Sequence, residues 1–188
     1  MKIWLADRLR VFWVFMSKER SKCIFLDRDG VLNADRPDYV YLPAHYKILP
    51  GVPEALQACK QAGYLLIVIT NQSGISQGIY SRKEVDHVHG FLQRDCNNLF
   101  DKFYFSPYHP TVTESLSRKP DSLLFEKAIA KFIIDPSQSW MIGDRDRDLI
   151  PAQSLGIKTI RIGKDDSKEF KSNFIAGSLQ DSLRFIIP

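Results

Sequence analysis

The apolar residues of this chain are concentrated in five short runs, which are separated by longer segments of mixed polarity. The runs cover residues 23–26, 64–69, 102–105, 140–142 and 158–162. Continuous, mainly apolar runs of this length are typical of strands that are buried on both faces of a parallel sheet. The pattern therefore predicts five parallel strands at the centre of the protein.

The segments between these runs repeat their apolar residues at helical spacing. Helices are predicted over 51–61, 81–97, 122–134 and a stretch ending at 155, and the tail adds a short strand near 174 and a helix over 178–185. His87 and His89 lie two positions apart on one helix and are interpreted as surface residues. Strands that alternate with helices predict an α/β fold, a three-layer Rossmann-like parallel sheet with helices on both faces. No large insertion separates the strands, so we predict a capless domain.

Chemically active side chains follow the ends of the predicted strands or precede a helix. They are Asp27 and Asp29, the residues 70–73 (Thr-Asn-Gln-Ser), Lys119, Asp144 and Asp148. Ligand sites in such sheets lie at the carboxyl ends of the strands, so these groups are expected to meet. Asp27 and Asp29 point the same way because strand side chains alternate. Two adjacent carboxylates repel unless they share a proton or a cation.

Each of these clusters also has a purely structural interpretation. Asp27 and Asp29 are equally compatible with a solvated acidic turn after a strand. Lys119 taken alone is compatible with an exposed lysine. Asp144 and Asp148 are also typical of acids that complement the dipole at a helix N-terminus. The case for a functional site therefore rests on all the clusters occurring together.

Charge and cysteine content restrict the classes of partner. The chain has 26 basic and 22 acidic residues, and residues 1–22 alone hold six basic and two acidic ones, so the net charge of +4 comes from that segment. The remaining chain is balanced, which argues against a nucleic-acid groove. The three cysteines have no metal-site or disulfide spacing. We expect a cytoplasmic protein without nucleic-acid or membrane partners.

Residues 1–22 are interpreted as an extension outside the core, and residues 23–188 as a single domain. The apolar run 11–15 has only five residues, too few to cross a bilayer, and no signal-peptide cleavage pattern follows it. A translation start at Met16 and a basic amphipathic surface anchor are the two alternatives for this segment.

Three motifs together resemble those of a known enzyme superfamily. They are 25–33 (Phe-Leu-Asp-Arg-Asp-Gly-Val-Leu-Asn), 68–74 (Val-Ile-Thr-Asn-Gln-Ser-Gly) and 118–120 (Arg-Lys-Pro). With the acidic cluster near 144 they resemble the haloacid dehalogenase superfamily over residues 23–162. They are most similar to its branch of histidinol-phosphate and D,D-heptose 1,7-bisphosphate phosphatases.

The resemblance implies a phosphomonoester hydrolase that works through an aspartyl-phosphate. Asp27 is expected to be the nucleophile and Asp29 the general acid and base, with Thr70 and Lys119 contacting the phosphoryl group. Mg²⁺ is the expected cofactor, since oxygen ligands suit a hard cation. Its ligands are expected to be Asp27, the backbone carbonyl of Asp29, and Asp144, with Asp148 acting through a water molecule or a ligand.

The substrate is expected to be a small phosphorylated sugar, with D-glycero-D-manno-heptose 1,7-bisphosphate as the leading candidate. Residues expected to contact it are Asn71, Gln72, Ser73, Arg118, Asp35, Tyr39 and Arg145. The planar guanidinium of Arg118 suits a second phosphate or sugar hydroxyls. Alternatives are a histidinol-phosphate phosphatase, a nucleic-acid 3′-end phosphatase and a non-catalytic phosphate-binding module. We expect a monomer.

One departure from the branch concerns a loop that carries zinc ligands in its members, a Cys-x-His followed by a Cys-x-Cys. Here Ser106, Ser115 and Ser117 stand at the cysteine positions and Tyr108 at the histidine position. Hydroxyl groups are poor zinc ligands, so no zinc is expected. We expect packing of Tyr104, Tyr108 and the prolines to hold this loop instead.

Overall fold

The centre of the protein is a parallel sheet. The structure is a computed structural model that describes residues 20–187 apart from residues 165, 166, 168 and 169. The strands are β1 (Cys23–Leu26), β2 (Leu65–Asn71), β3 (Lys102–Ser106), β4 (Trp140–Gly143), β5 (Lys158–Ile162) and β6 (Phe174–Ala176). They lie in the order β3-β2-β1-β4-β5-β6, and every neighbouring pair is parallel.

Helices cover both faces of this sheet, which confirms the predicted three-layer architecture. They are α1 (Val52–Gln61), α2 (Arg82–Asp95), α3 (Leu123–Phe132), α4 (Asp146–Ser154) and α5 (Leu179–Ile186). Alternate side chains of β1 belong to two separate hydrophobic cores. Ile24 packs with α1, α2 and α5, and Phe25 packs with α3 and α4. The segments that follow β1 and β3 contain no further element except one 3₁₀ turn, Pro43–His45, in agreement with the capless prediction.

Several element boundaries differ from the sequence prediction by one or two residues, and two of these differences have a clear physical reason. β2 continues to Asn71, two residues further than predicted, because Thr70 and Asn71 still pair with β3. α2 ends at Asp95, two residues earlier than predicted, because Asn97 and Asn98 adopt left-handed backbone conformations with φ of 50° and 57°. The first difference matters for function, because it places Thr70 on a rigid strand rather than in a loop.

His89 is buried, so its interpretation as a surface residue is wrong, whereas His87 is exposed as predicted. His89 follows Val85 by four positions and therefore shares the inward face of α2. Its ring stacks on Phe103 with centroids 4.5 Å apart. Burial, and then the charge of Arg28, lower the pKa of His89 to about 3, so it is a neutral core residue.

The predicted extension lies almost wholly outside the described residues, which begin at residue 20. Ser21 donates from its backbone N–H to Ile133 O at 3.0 Å, and Lys22 O accepts from the N–H of Leu65 at 2.9 Å. Hydrogen bonds to the core therefore begin at Ser21, slightly before the predicted domain boundary at residue 23. That the preceding residues form an extension outside the core stays a prediction. None of the described helices is long and apolar enough to cross a membrane.

Candidate active site

The predicted site residues meet at the carboxyl edge of the three adjacent strands β2, β1 and β4. Asp27 follows β1, Thr70 lies near the end of β2 and Asp144 follows β4. A cleft of about 430 Å³ opens above them. Its lining residues are Asp27, Asp29, Asp35, Arg36, Pro37, Tyr39, Thr70, Asn71, Ser73, His109, Arg118, Arg145 and Arg147.

Asp27 and Lys119 form a buried ion pair at the floor of the cleft. Lys119 Nζ lies 2.8 Å from Asp27 Oδ1, 2.8 Å from Asp148 Oδ1 and 2.6 Å from Ile69 O. Burial alone disfavours the ammonium form, but Asp148 and Asp27 outweigh it and raise the pKa of Lys119. The side chain is 1% exposed, so a full positive charge is held beside Asp27 away from water.

Asn71 fixes the backbone that carries this lysine. Its side-chain Nδ2 donates to Lys119 O and its Oδ1 accepts from Lys119 N–H, both at 3.0 Å. The two hydrogen bonds attach the segment before α3 to the end of β2. Asn71 lines the cleft as predicted, but its amide is used to position Lys119.

Three carboxylates form the candidate metal site. One oxygen each from Asp27, Asp144 and Asp148 lie within 4.8 Å of one another. Burial, followed by the charges of Asp27 and Asp148, raises the pKa of Asp144 to about 7. Asp144 Oδ1 is buried and has no hydrogen-bond partner among the described residues. Lys119 and Arg145, whose Nε lies 3.6 Å from Asp144 Oδ2, balance two of the three acids at most, and a hard divalent cation would neutralise the remaining negative charge.

The positions of Asp148 and Gly30 add detail to the description of the candidate metal site. Asp148 was expected to act through an intermediary, but its carboxylate lies in the cluster itself and is also bound to Lys119. Gly30 leaves space next to the cluster, because a Cβ at this position would lie 2.6 Å from Asp144 Oδ2. Its φ of +84° also favours glycine.

Asp29 is held by its neighbours in a fixed orientation. Arg28 donates to it through Nε at 3.0 Å and Nη2 at 2.9 Å, and Asn33 Nδ2 donates at 2.8 Å. Arg28 is itself fully buried and also donates to Val40 O at 2.9 Å. No role was predicted for Arg28, because strand alternation places it on the face opposite to Asp27 and Asp29.

Gln72 does not reach the cleft, contrary to the prediction that it contacts substrate. It is 1% exposed, and its Nε2 donates to Thr70 Oγ1 at 2.9 Å and to Asp29 Oδ2 at 3.3 Å. Its Oε1 accepts from Tyr80 OH at 3.0 Å. Gln72 therefore orients the side chains of Thr70 and Asp29 from below the surface of the cleft. Thr70 and Ser73 do line the cleft, as predicted.

The remaining predicted contacts lie at the rim. Arg145 Nη2 and Asp35 Oδ2 form an ion pair at 2.7 Å. Tyr39 adopts a left-handed conformation with φ of 64° and packs edge-on against Tyr80. Arg118 donates through Nη1 to Tyr108 O at 2.9 Å. All four predicted side chains (Asp35, Tyr39, Arg118 and Arg145) line the cleft.

Four cleft residues were not predicted as substrate contacts: Arg36, Pro37, His109 and Arg147. Arg36 directly follows Asp35, and Arg147 lies two positions after Arg145. Their closeness in sequence to predicted contacts could therefore have identified these two arginines as cleft residues. His109 directly follows Tyr108, in the loop that carries zinc ligands in members of the branch.

Three serines form a cluster at the positions where members of the branch carry zinc-binding cysteines. They are Ser106, Ser115 and Ser117, which we call the serine cluster. Ser117 Oγ lies 3.0 Å from Ser106 Oγ and 2.9 Å from Ser115 Oγ. Tyr104 packs against the core, as predicted, but Tyr108 is 39% exposed and does not hold the loop by packing. Hydrogen bonds between hydroxyl groups close this loop instead.

Known proteins resemble this chain over most of its length. A family model described as haloacid dehalogenase-like hydrolase matches residues 15–156. The chain is 35% identical over 180 residues to the D-glycero-beta-D-manno-heptose-1,7-bisphosphate 7-phosphatase of Haemophilus ducreyi, covering 88% of this chain and 98% of that protein. It is 33% identical over 165 residues to the D-glycero-D-manno-heptose-1,7-bisphosphate 7-phosphatase of Chlorobaculum tepidum, covering 80% of this chain and 83% of that protein.

A solved structure has the same fold. It is the D,D-heptose 1,7-bisphosphate phosphatase from B. bronchiseptica, complexed with magnesium and phosphate. The TM-score is 0.81 at 23% sequence identity, and the match covers 88% of this chain and 97% of that one.

Proposed function

This chain belongs to the haloacid dehalogenase-like hydrolases, and we propose that it is a Mg²⁺-dependent phosphatase acting on D-glycero-D-manno-heptose 1,7-bisphosphate. The observation that carries the proposal is the buried Asp27–Lys119 pair beside a cluster of three carboxylates. A nucleophilic carboxylate with a fixed cation is what displacement at a phosphate monoester requires. The names of the curated relatives support the choice of substrate.

In this proposal Asp27 attacks the phosphorus atom. A bond forms between a carboxylate oxygen and phosphorus, the bond to the leaving oxygen breaks, and an aspartyl-phosphate results. Lys119 holds Asp27 Oδ1 at 2.8 Å and offsets the negative charge of the phosphoryl oxygens. Thr70 accepts from Gln72 through its oxygen, so its own hydroxyl proton can be donated to the phosphoryl group.

Asp29 transfers protons in both steps. It gives a proton to the leaving oxygen, then takes one from the water that attacks the aspartyl-phosphate and releases inorganic phosphate. The contacts from Arg28 and Asn33 fix the direction in which its carboxyl group faces. A positioned general acid and base of this kind typically contributes about 10²–10⁴-fold to the rate.

Asp27, Asp144 and Asp148 would hold the Mg²⁺ ion, and the backbone carbonyl of Asp29 stays a predicted fourth ligand. The unpartnered Asp144 Oδ1 and the all-oxygen donor set support a hard cation. When bound, Mg²⁺ supplies positive charge that stabilises the phosphoryl oxygens in the transition state.

The proposal also includes no zinc, a cytoplasmic location and a monomer. Mutual hydrogen bonds within the serine cluster support a loop that needs no metal. Three free, buried cysteines support a reducing compartment. One equivalent of zinc per chain in purified protein, or a dimer in sedimentation analysis, would contradict the corresponding part.

A substrate panel tests the proposed activity. Purified protein with Mg²⁺ is given heptose 1,7-bisphosphate, histidinol phosphate, a DNA 3′-phosphate and p-nitrophenyl phosphate, and released phosphate is measured. We expect the highest kcat/KM with the heptose bisphosphate. A preference for histidinol phosphate would replace the substrate. No hydrolysis of any ester, p-nitrophenyl phosphate included, would refute the activity and favour a phosphate-binding module.

A further inference from the structure

A buried tyrosine lies behind the cleft and is connected by hydrogen bonds to two of the residues that line it. Tyr80 is 5% exposed and is not part of the cleft lining. Its hydroxyl group donates to Gln72 Oε1 at 3.0 Å. Gln72 Nε2 in turn donates to Thr70 Oγ1 at 2.9 Å and to Asp29 Oδ2 at 3.3 Å. A continuous chain of hydrogen bonds therefore runs from Tyr80 to both residues.

The chemistry of these groups fixes the direction of every hydrogen bond in the chain. Asp29 forms an ion pair with Arg28, and an ionised carboxylate only accepts hydrogen bonds, so the amino end of the Gln72 amide faces it. The amide oxygen then faces Tyr80. Burial raises the pKa of Tyr80, so its hydroxyl group stays protonated and can donate to that oxygen. A reversed amide would place two acceptor oxygens, those of Gln72 and Asp29, against each other.

The ring of Tyr80 is held in place by three neighbours. It packs edge-on against Tyr39 with centroids 5.5 Å apart and stacks on Tyr41 with centroids 5.0 Å apart. Gly74 leaves the space that the ring occupies, because a Cβ at this position would overlap with Tyr80 Cε1. These contacts give the hydroxyl group of Tyr80 a defined position, from which it can orient the Gln72 amide.

We propose that Tyr80 is a positioning residue for the phosphatase reaction, which acts through Gln72 on both Thr70 and Asp29. This inference rests on the proposed function and adds to it a residue behind the cleft. With the amide fixed, Thr70 Oγ1 accepts from it and its own hydroxyl proton is directed to the phosphoryl group. The same amide helps to hold Asp29 Oδ2 in the orientation that proton transfer requires. Loss of the tyrosine hydroxyl therefore affects kcat rather than substrate affinity.

Kinetics of Tyr80→Phe test the proposal. Phenylalanine keeps the ring contacts and removes only the hydroxyl group. With the preferred ester of the substrate panel, we expect kcat to fall about three- to tenfold with KM little changed, the range that one neutral hydrogen bond typically contributes. Tyr64→Phe is the matched control, because Tyr64 is also buried and donates to a carbonyl oxygen, that of Ile186, at 3.3 Å. Tyr64 precedes β2, at the opposite edge of the sheet from the cleft, so kcat should not change.

A double variant separates a positioning role from support of the fold. Gln72→Met has a similar volume and lacks both amide donors, and we expect kcat to fall about 30- to 100-fold. If Tyr80 acts only through Gln72, Tyr80→Phe should cause no further loss in the Gln72→Met protein. Three results would each overturn the proposal: losses that multiply in the double variant, no loss in Tyr80→Phe, or an equal loss in Tyr64→Phe.

A measurement that needs no turnover distinguishes failure of this inference from failure of the proposed function. Hydrolysis of p-nitrophenyl phosphate by the wild-type protein is measured first, so that absence of the proposed activity is seen separately. Solvent exchange of the Gln72 side-chain amide hydrogens is then followed by NMR in the wild type, Tyr80→Phe and Tyr64→Phe. Faster exchange in Tyr80→Phe alone supports the positioning role. Equal exchange in the wild type and Tyr80→Phe refutes it, whether or not any ester is hydrolysed.

Discussion

The floor of the cleft and the serine cluster beside its rim are held together by different kinds of interaction. At the floor, Lys119 lies between Asp27 and Asp148, and all three are buried charges. In the serine cluster, Ser117 joins Ser106 and Ser115 through neutral hydroxyl groups. Removing one member of a buried charge network leaves another charge unpaired, whereas a neutral hydrogen bond is worth only about 0.5–1.5 kcal/mol.

Because of this difference, the reaction and the choice of substrate depend on different parts of the cleft, the floor and the rim. The residues assigned to the reaction depend on one another, so few single substitutions at the floor are tolerated. The rim loops that line the rest of the cleft are held by weaker interactions and can change with little loss of stability. The same catalytic floor can therefore serve different substrates.

The largest expected effect is on turnover when the proposed nucleophile is removed. Asp27→Asn replaces a carboxylate by an amide that cannot form an acyl-phosphate, so we expect kcat to fall by at least about 10³-fold. Circular dichroism should remain that of the wild type, because the two side chains have nearly the same shape. Turnover near the wild-type rate would contradict the assignment of Asp27.

Removal of the central cation should reduce stability most. Lys119→Met leaves Asp27 and Asp148 buried without their partner, and we expect the free energy of unfolding to fall by about 3–5 kcal/mol. Urea denaturation measures it. Lys127→Met, on the exposed side of α3, is the control and should change stability by less than about 0.5 kcal/mol. A similar small change in both variants would mean that the floor is not a coupled charge network.

Arg28 tests whether the orientation of Asp29 matters for proton transfer. Arg28→Lys keeps the charge but loses the paired donors, so we expect kcat to fall about 10–100-fold. The fall should be greater for alkyl phosphates, which need protonation of the leaving oxygen, than for p-nitrophenyl phosphate. If both substrates lose activity equally, Arg28 supports the fold rather than the acid–base step.

The smallest effect is expected in the serine cluster. Ser117→Ala removes the hydroxyl that contacts both other serines, and we expect the free energy of unfolding to fall by about 1–2 kcal/mol with kcat little changed. A loss of stability as large as that of Lys119→Met would contradict the contrast drawn between the two regions.

The fold and the catalytic floor could be predicted because they follow from local patterns. Parallel strands bring their carboxyl ends to one edge, so Asp27, Thr70 and Asp144 were expected to meet without any knowledge of packing. The convergence of Lys119 with them depended on the resemblance, since a lysine before a helix has no periodic signal of its own.

The residues that were missed depend on contacts between distant segments. Arg28 and His89 are polar residues in the interior, and hydrophobic periodicity counts only apolar ones. The serine cluster joins positions that are 11 residues apart along a loop without regular structure. Arg147 and Arg118 are far apart in the sequence, and only the folded chain places both of them in the lining of one cleft.

The pairing of Asn71 with the backbone of Lys119 has a consequence for motion. The segment that ends the rim loop at Arg118 continues directly into Lys119, whose peptide groups are attached to β2. A fluctuation large enough to detach this segment also withdraws the ammonium group from Asp27. Detachment of the Lys119 segment from β2 and loss of catalytic competence are thus one conformational equilibrium, and slow exchange at Asn71 should be detected at Asp27 with the same rate constant.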